Sequence, residues 1–281
     1  MRRINRAASI LLLVLTFAPT PTHSFAKTTG KKTSKKPAAG GGFGAVAKQP
    51  KLDAKAKKIL EQAGGNVDAA QEQQFQNALQ KLSKTEPELF EALMDAEGGL
   101  PTGPAHAKLN ELFWDSVATY IPARGGQRTV DGPMSSAAKR KISAIAGCSV
   151  ASGPAVLDVG CGDGAMLSHL VKAGADPKSY LGLDVSSRMI EAAALAHPRA
   201  KFQKADFLAM QPTETFDCCL LNGASQFFAD QSELLAAACA WLRPGGRVVI
   251  SHAQGAGFVR SEYEGNRAVA RSCLPDSDAL A

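Results

Sequence analysis

The first 52 residues of the chain lack aspartate and glutamate, although they contain ten of its 32 lysine and arginine residues. The rest of the chain carries 22 basic and 26 acidic residues, which is a net charge of −4. The basic sequence pI of about 9.0 is therefore a property of the leader. Because an acidic surface repels phosphate groups, we do not expect nucleic acid as a partner of the folded part.

The chain also lacks an apolar run of the roughly 20 residues that a membrane-spanning helix needs, so no stable membrane anchor is expected. The apolar stretch at residues 10–18 follows a basic start, which is typical of a signal peptide and predicts one over residues 1–24. Residues 25–51 are basic, free of acid and rich in Thr, Ser and Gly, as in transit peptides. With Phe25 at the presumed cut, they resemble the two-part plastid leaders of algae with secondary plastids. We expect a plastid location, with a secreted or endomembrane-lumen protein as the alternative.

No two of the six cysteines have the C-x-x-C spacing. Cys218 and Cys219 are adjacent, and adjacent side chains on a strand point to opposite faces, so they cannot easily share a metal ion. We interpret the cysteines as buried thiols of a reducing compartment and expect no metal site. The remaining four are Cys148, Cys161, Cys239 and Cys273.

Two regions differ in their apolar spacing. Residues 52–134 have helical spacing and predict an accessory helical region, in which Trp114 and Tyr120 are interpreted as core residues, with contacts in a cleft as the alternative. Residues 135–281 alternate short helices with apolar strands, which predicts an α/β fold with a doubly wound, mostly parallel sheet. Its ligand should bind at the carboxyl ends of the strands. The predicted strands are residues 155–160, 180–185, 200–206, 216–222 and 246–252. A helix over residues 255–273 is predicted after the last strand.

A glycine-rich loop, "VLDVGCGDGAM", follows the first predicted strand. Gly160, Gly162 and Gly164 lack side chains, so the backbone can turn tightly and approach a ligand whose charged part meets free N–H groups at the helix start. Dinucleotides and S-adenosylmethionine both use such loops. Dinucleotide sites favour G-x-G-x-x-G, whereas this loop is G-x-G-x-G with Asp158 two residues ahead, which favours S-adenosylmethionine.

Polar residues also end the later strands. Asp184 ends the second strand, where a carboxylate can accept both hydroxyls of an adenosine ribose. Asp206 follows the third strand and can accept from an adenine amino group, while the ring of Phe207 covers the base. Asn222 ends the fourth strand.

Each carboxylate also has a purely structural alternative. Asp184 could cap the helix that begins near Ser186, and Asp206 could pair with Lys201 or Lys204. Capping does not explain why polar residues occur at successive strand ends.

Taken in order, the segments from 155 to 252 resemble the class I S-adenosylmethionine-dependent methyltransferases. "LRPGG" before the fifth strand is typical of the small-molecule type. The resemblance implies a Rossmann-like sheet, S-adenosylmethionine as cofactor and a small-molecule or protein methyl acceptor. It also implies that residues 158–164 hold the methionine moiety, Asp184 the ribose, and Asp206 with Phe207 the adenine. The full expected cofactor set is Asp158, Gly160, Cys161, Gly162, Gly164, Asp184, Val185, Asp206, Phe207 and Asn222.

The acceptor side is less clearly marked. His252 follows the fifth strand and is our candidate general base, with a structural or solvated histidine as the alternative. Further polar residues near the ends of strands four and five are Ser225, Gln226 and Ser251, whereas His106 has no such placement. The Asn-Pro-Pro-aromatic signature for adenine or glutamine amino groups is lacking after strand four.

The family's sheet normally ends in an antiparallel hairpin, and the residues after His252 are too few for it, so we expect the hairpin to be missing. Two other functions stay open. One is a catalytically inactive methyltransferase-like module that binds a partner through its helices. The other is a Rossmann dehydrogenase, which the glycine spacing disfavours.

Overall fold

The computed structural model of the chain describes residues 51–124 and 136–274. The predicted signal peptide and all but the last residue of the transit-like segment lie outside the described residues. So do residues 125–135 and the chain from 275 onward.

The predicted accessory region is helical. Asp53 and Asn66 cap the first two helices, because their carboxylate and amide oxygens accept hydrogen bonds from backbone N–H groups of the first turn. None of the helices within residues 51–124 and 136–274 combines the length and the apolar character needed to cross a bilayer. The four helices are α1 (Ala54–Gln62), α2 (Val67–Thr85), α3 (Pro87–Met94) and α4 (Gly103–Thr119).

The second region alternates helices with strands, as predicted. The strands are β1 (Val156–Val159), β2 (Tyr180–Asp184), β3 (Lys201–Lys204), β4 (Phe216–Asn222) and β5 (Leu242–Ser251). The helices are α5 (Ser136–Val150), α6 (Leu167–Ala173), α7 (Ser187–Ala196), α8 (Gln231–Ala240) and α9 (Ala256–Gly265).

The five strands form one sheet in the order β3-β2-β1-β4-β5, and every neighbouring pair is parallel. The strand order reverses between β1 and β4, which creates the crevice where open α/β sheets bind ligands. The predicted doubly wound, Rossmann-like fold is confirmed. The described residues contain no antiparallel strand.

Helices cover both faces of the sheet, so all four residues of β1 are buried. Cys218 packs with Ile142 and Leu170 on one face, and Cys219 packs with Trp241 on the other, as the alternation of a strand predicts. The interpretation that the cysteines are buried thiols is wrong for three of them, because their helices or their loop turn them to solvent. These are Cys148, Cys239 and Cys273.

Two boundaries differ from the prediction. β5 already begins at Leu242, because Phe216 pairs with Leu242 while Cys218 pairs with Arg247, so an irregularity accommodates the Pro-Gly-Gly segment within the strand. The helix predicted over residues 255–273 ends at Gly265, with Asn266 as its C-cap. The following segment turns back to the accessory helices, where Val269 joins their core.

Helix α4 is fixed against the sheet region by polar contacts. Asp115 Oδ1 accepts from Ser186 Oγ at 2.6 Å and from the backbone N–H of Arg188 at 3.1 Å, so a carboxylate of α4 lies at the N-terminus of α7. Lys204 at the end of β3 donates to Glu111 of α4 at 2.6 Å. Through these contacts α4 lies along the edge where β2 and β3 end.

Candidate functional site

The glycine loop after β1 has left-handed backbone at all three glycines, with φ of 70° at Gly160, 55° at Gly162 and 76° at Gly164. A Cβ at Gly160 would lie 2.5 Å from Ala224 Cβ, whereas a Cβ at Gly162 would meet nothing within 4 Å. Gly160 therefore lets the loop pack on the turn after β4. Gly162 leaves open space in front of the loop.

Gly164 packs closely against neighbouring elements, and its predicted role in cofactor binding stays a prediction. A Cβ there would lie 3.0 Å from His197 Cδ2 and 3.2 Å from Phe202 Cζ, and Gly164 lies outside the walls of both cavities described below. Its small size serves the packing of the loop on α7 and β3.

A cavity of about 570 Å³, here called the large cavity, opens at the carboxyl ends of the strands. Its walls come from the loops after β1, β2, β3 and β4 and from α4. Six of the predicted cofactor residues line it, namely Gly160, Gly162, Asp184, Val185, Asp206 and Phe207.

A second cavity of about 160 Å³, here called the small cavity, lies next to the first. The two share Trp114, Gly160, Gly162 and Met189. The predicted residues Asp158, Cys161 and Asn222 line the small cavity. The structure thus brings all the predicted cofactor residues except Gly164 to two adjoining cavities.

Asp158 is an almost fully buried carboxyl group that accepts a hydrogen bond from Tyr180 Oη at 2.9 Å. Burial raises the pKa of Asp158 to about 7, with the charge of Asp184 adding to the rise and the bond from Tyr180 opposing it. The group is therefore suited to a cationic partner, which would favour its ionised form.

Asp184 links the end of β2 to the glycine loop. Its Oδ2 accepts from the backbone N–H of Gly162 at 2.9 Å, and its Oδ1 accepts from that of Ser186 at 2.9 Å. Burial raises the pKa of Asp184 to about 6 despite these two hydrogen bonds. Ser186 itself caps α7, since its Oγ accepts from the backbone N–H of Met189. The N-cap of α7 is therefore Ser186 and not Asp184.

Asp206 accepts from the backbone N–H of Leu208 at 3.3 Å. The alternative that Asp206 pairs with a neighbouring lysine is wrong, because Lys201 pairs with Glu214 and Lys204 pairs with Glu111.

Phe207, which follows Asp206, is buried. Its ring meets Phe228 edge-on, with centroids 6.4 Å apart. It forms a fixed apolar part of the cavity wall.

His252 lies outside the walls of both cavities. Its ring stacks on Phe258 with centroids 5.1 Å apart, and its Nδ1 accepts from the backbone N–H of Gln254. Ser225 and Gln226 are buried and border neither cavity. The geometry therefore does not bring His252 to the site, and its role as a base stays a prediction.

Helix α4 of the accessory helical region supplies a further wall of the large cavity. His106, Asn110 and Trp114 follow one another at intervals of four residues and all line the large cavity. His106 was not expected at the ends of strands four and five, and it reaches the large cavity from α4 instead. Trp114 contacts the cleft, which was the alternative interpretation, whereas Tyr120 is fully buried in the core as expected.

Comparisons with known proteins agree with this geometry. Residues 156–246 match the family model described as a methyltransferase domain. The chain is 29% identical over 150 residues to a ubiquinone biosynthesis O-methyltransferase of Bradyrhizobium sp., covering 52% of this chain and 58% of that one. It is 30% identical over 147 residues to a malonyl-[acyl-carrier protein] O-methyltransferase of Erwinia billingiae, covering 52% and 47%. The chain thus spans about half the length of these relatives.

Among solved structures, a TehB-like SAM-dependent methyltransferase from Corynebacterium glutamicum is 25% identical, with a TM-score of 0.37. The match covers 53% of this chain and 73% of that one. The family match coincides with strands β1 to β4 and the start of β5, and the sheet is parallel with the glycine loop at its carboxyl edge. Residues 156–246 are therefore similar in sequence to the methyltransferase domain family, which indicates S-adenosylmethionine as the cofactor.

Proposed function

We propose that the protein transfers the methyl group of S-adenosylmethionine to a small molecule bound in the large cavity. One observation carries this proposal: carboxylates and glycines from successive strand ends line a cavity whose remaining wall is α4. About 570 Å³ is within the usual range of small-molecule sites. A protein side chain as acceptor is the alternative that the assay below tests.

The described residues fit the cofactor in three places. The small cavity, with Asp158 and the open space at Gly162, suits the methionine moiety, whose ammonium group would favour the ionised form of Asp158. Each oxygen of Asp184 accepts one backbone N–H and keeps a lone pair for a ribose hydroxyl. Asp206 and the fixed ring of Phe207 border the large cavity where the adenine would lie.

The cofactor supplies the chemistry, because its sulfonium is a good leaving group for the methyl carbon. The chain then has to align the acceptor and exclude water. Helix α4 does both in this proposal, since Trp114 borders both cavities and Asp115 fixes the helix to α7.

Isothermal titration of S-adenosylmethionine and S-adenosylhomocysteine into the full chain tests cofactor binding. We expect micromolar dissociation constants. Asp184→Ala should weaken them at least about tenfold, because the backbone N–H groups of Gly162 and Ser186 donate to the Asp184 carboxylate and these two hydrogen bonds order the ribose site. Asp95→Ala removes an exposed carboxylate at the end of α3 and should change nothing. Wild-type affinity in Asp184→Ala would contradict the ribose assignment.

Turnover then tests the acceptor class. The full chain is incubated with methyl-labelled cofactor and either the small-molecule or the protein fraction of a plastid extract. Label in a small molecule supports the proposal. Label only in protein would favour the alternative, and no label in either fraction would favour a catalytically inactive module.

We also propose that residues 1–51 direct the protein to a plastid. The acid-free composition and the signal-like residues 1–24 support this proposal. Residues 1–51 fused to a fluorescent protein should reach the plastid of an alga with secondary plastids. Residues 1–24 alone should reach only the secretory pathway, and secretion of both fusions would refute the proposal.

A further inference from the structure

The α4 wall of the large cavity lies outside the segment that matches the methyltransferase domain family. His106 and Asn110 on this wall are 9% and 7% exposed, so they are buried polar side chains at the edge of a cavity. Buried polar groups normally have hydrogen-bond partners, and an exception calls for an explanation.

His106 fixes the side-chain amide of Asn110. Asn110 Nδ2 and His106 Nε2 are 3.0 Å apart, and the imidazole also has a hydrogen bond to the backbone of Val269. Burial, with the charge of Arg271, lowers the pKa of His106 to about 4, so the ring is neutral near pH 7. A neutral ring that donates to the Val269 carbonyl has one lone pair left, which accepts from Asn110 Nδ2.

Asn110 Oδ1 is then the free end of the amide. It is buried and accepts no hydrogen bond from the residues that the structure describes. An unpaired buried amide oxygen is destabilising, and a ligand with an O–H or N–H group would recover this loss. Asn110 is one of the residues that line the large cavity, so a ligand bound there would supply this donor on displacing the atoms that cover Oδ1.

The charges of the large cavity restrict this ligand further. Four carboxylates line it, whereas none of its lining residues is lysine or arginine. Two of them remain for the acceptor when the other two hold the cofactor, and these two disfavour a negatively charged acceptor. Trp114 and Phe227 also line it and meet edge-on with centroids 5.1 Å apart, which gives the wall an aromatic part. The four carboxylates are Asp184, Asp206, Asp230 and Glu233.

We propose that Asn110 recognises the methyl acceptor through Oδ1, with His106 as the positioning residue, and that the acceptor is a small molecule with a hydroxyl or amino group and no negative charge. This inference rests on the proposed methyltransferase function. In this proposal the acceptor donates from an O–H or N–H group to Asn110 Oδ1 on the α4 wall of the large cavity.

The test uses the full chain saturated with S-adenosylhomocysteine and four aromatic probes. The probes are 4-hydroxybenzyl alcohol, tyramine, 4-hydroxybenzoate and 4-methylanisole, which are respectively uncharged, cationic, anionic and without a donor. Binding is measured by titration calorimetry. We expect the alcohol and tyramine to bind at least about tenfold more tightly than the other two, since only they combine a donor with the absence of negative charge.

Variants assign this preference to residues. Asn110→Ala should weaken binding of the alcohol and tyramine about tenfold and leave the affinity for S-adenosylhomocysteine unchanged. Asn77→Ala on α2, a partly exposed asparagine, is the matched control and should change neither. His106→Ala should weaken probe binding, and His106→Gln should restore most of it, because a glutamine carbonyl can accept from Asn110. Asn110→Asp keeps the side-chain shape and should shift the preference from the alcohol toward tyramine, which tests the proposal even if Asn110→Ala fails to fold.

Several outcomes would overturn the proposal. One is tighter binding of 4-hydroxybenzoate than of tyramine, and another is no binding of any probe. A third is a loss of S-adenosylhomocysteine affinity in Asn110→Ala with probe binding intact, which would make Asn110 a cofactor residue. If the wild-type chain does not bind S-adenosylhomocysteine, the proposed function itself fails. If the wild-type chain binds S-adenosylhomocysteine and the probes, and Asn110→Ala does not change probe binding, only the role of Asn110 fails.

Discussion

Two glycines in the same loop should respond differently to one added methyl group. Gly160 and Gly162 both have positive φ, so alanine at either position is strained by about 1 kcal/mol or slightly more. At Gly160 the new Cβ would also lie 2.5 Å from Ala224 Cβ, and relieving such an overlap costs about 1–3 kcal/mol. At Gly162 the new Cβ would meet nothing within 4 Å.

The free energy of unfolding should therefore fall by about 3 kcal/mol in Gly160→Ala and by about 1 kcal/mol in Gly162→Ala. For a domain of this size, 1 kcal/mol corresponds to about 2–4 °C in Tm. Cofactor affinity should show the opposite order at a temperature where both variants are folded. Gly162→Ala places a methyl group in the space shared by the two cavities, and we expect it to weaken S-adenosylmethionine binding at least about tenfold.

Thermal unfolding and titration calorimetry on the two variants measure both quantities. Gly64→Ala is the matched control, because Gly64 has a φ of 63°, open space for a Cβ and a position between α1 and α2. It should lose as much stability as Gly162→Ala and no affinity. If Gly162→Ala binds S-adenosylmethionine as the wild type does, the cofactor does not approach the loop at Gly162, and the assignment of the open space is refuted.

Two further predictions concern the same site, and a third concerns the exposure of the cysteines. S-adenosylmethionine affinity should rise with pH up to about 7 and then level off, because burial raises the pKa of Asp158 to about 7 and binding a cation there releases a proton. Calorimetry at pH 6 in two buffers of different ionisation enthalpy should detect this proton, and Asp158→Asn should reduce the release, with Asp184, whose pKa of about 6 leaves it partly protonated, as the second source; an unchanged release would exclude Asp158 as a source. Cofactor binding should change the tryptophan fluorescence through Trp114, which lines both cavities, and not through the buried Trp241, so Trp114→Phe should abolish the change; a signal that survives in this variant would contradict that geometry. A thiol reagent should label the native protein at its exposed cysteines, Cys148, Cys239 and Cys273, and mass spectrometry that finds Cys161 labelled equally fast would contradict its burial.

The fold was predictable because the sheet is parallel and buried on both faces. Such strands are short apolar runs with polar residues at their ends, and β4 was predicted with its observed bounds, Phe216–Asn222. The start of β5 was not predictable, since Pro244 in a Pro-Gly-Gly segment normally indicates a turn. In the fold that segment is accommodated by an irregular pairing between β4 and β5, which depends on the partner strand.

The cofactor side of the site was predictable for the same reason. Parallel strands deliver their carboxyl ends to one edge, so Asp158, Asp184 and Asp206 had to meet once the strand order was correct. Gly164 shows the limit of this reasoning. Its spacing is the same as that of its neighbours, but the approach of Phe202 and His197 from β3 and α7 makes it a packing residue.

The acceptor side depends on how α4 docks, and no local pattern contains that information. Leu109 and Phe113 alternate along α4 with Asn110 and Trp114, so the sequence shows two partly apolar faces and does not tell which one meets the core. Asp115 contributes to this choice, since its carboxylate accepts from Ser186 Oγ and Arg188 N at the start of α7, 71 and 73 residues away. Because Ser186 N also donates to Asp184, the contact that orients the proposed acceptor wall is joined directly to the proposed ribose site. A change in the docking of α4 should therefore affect both sites together.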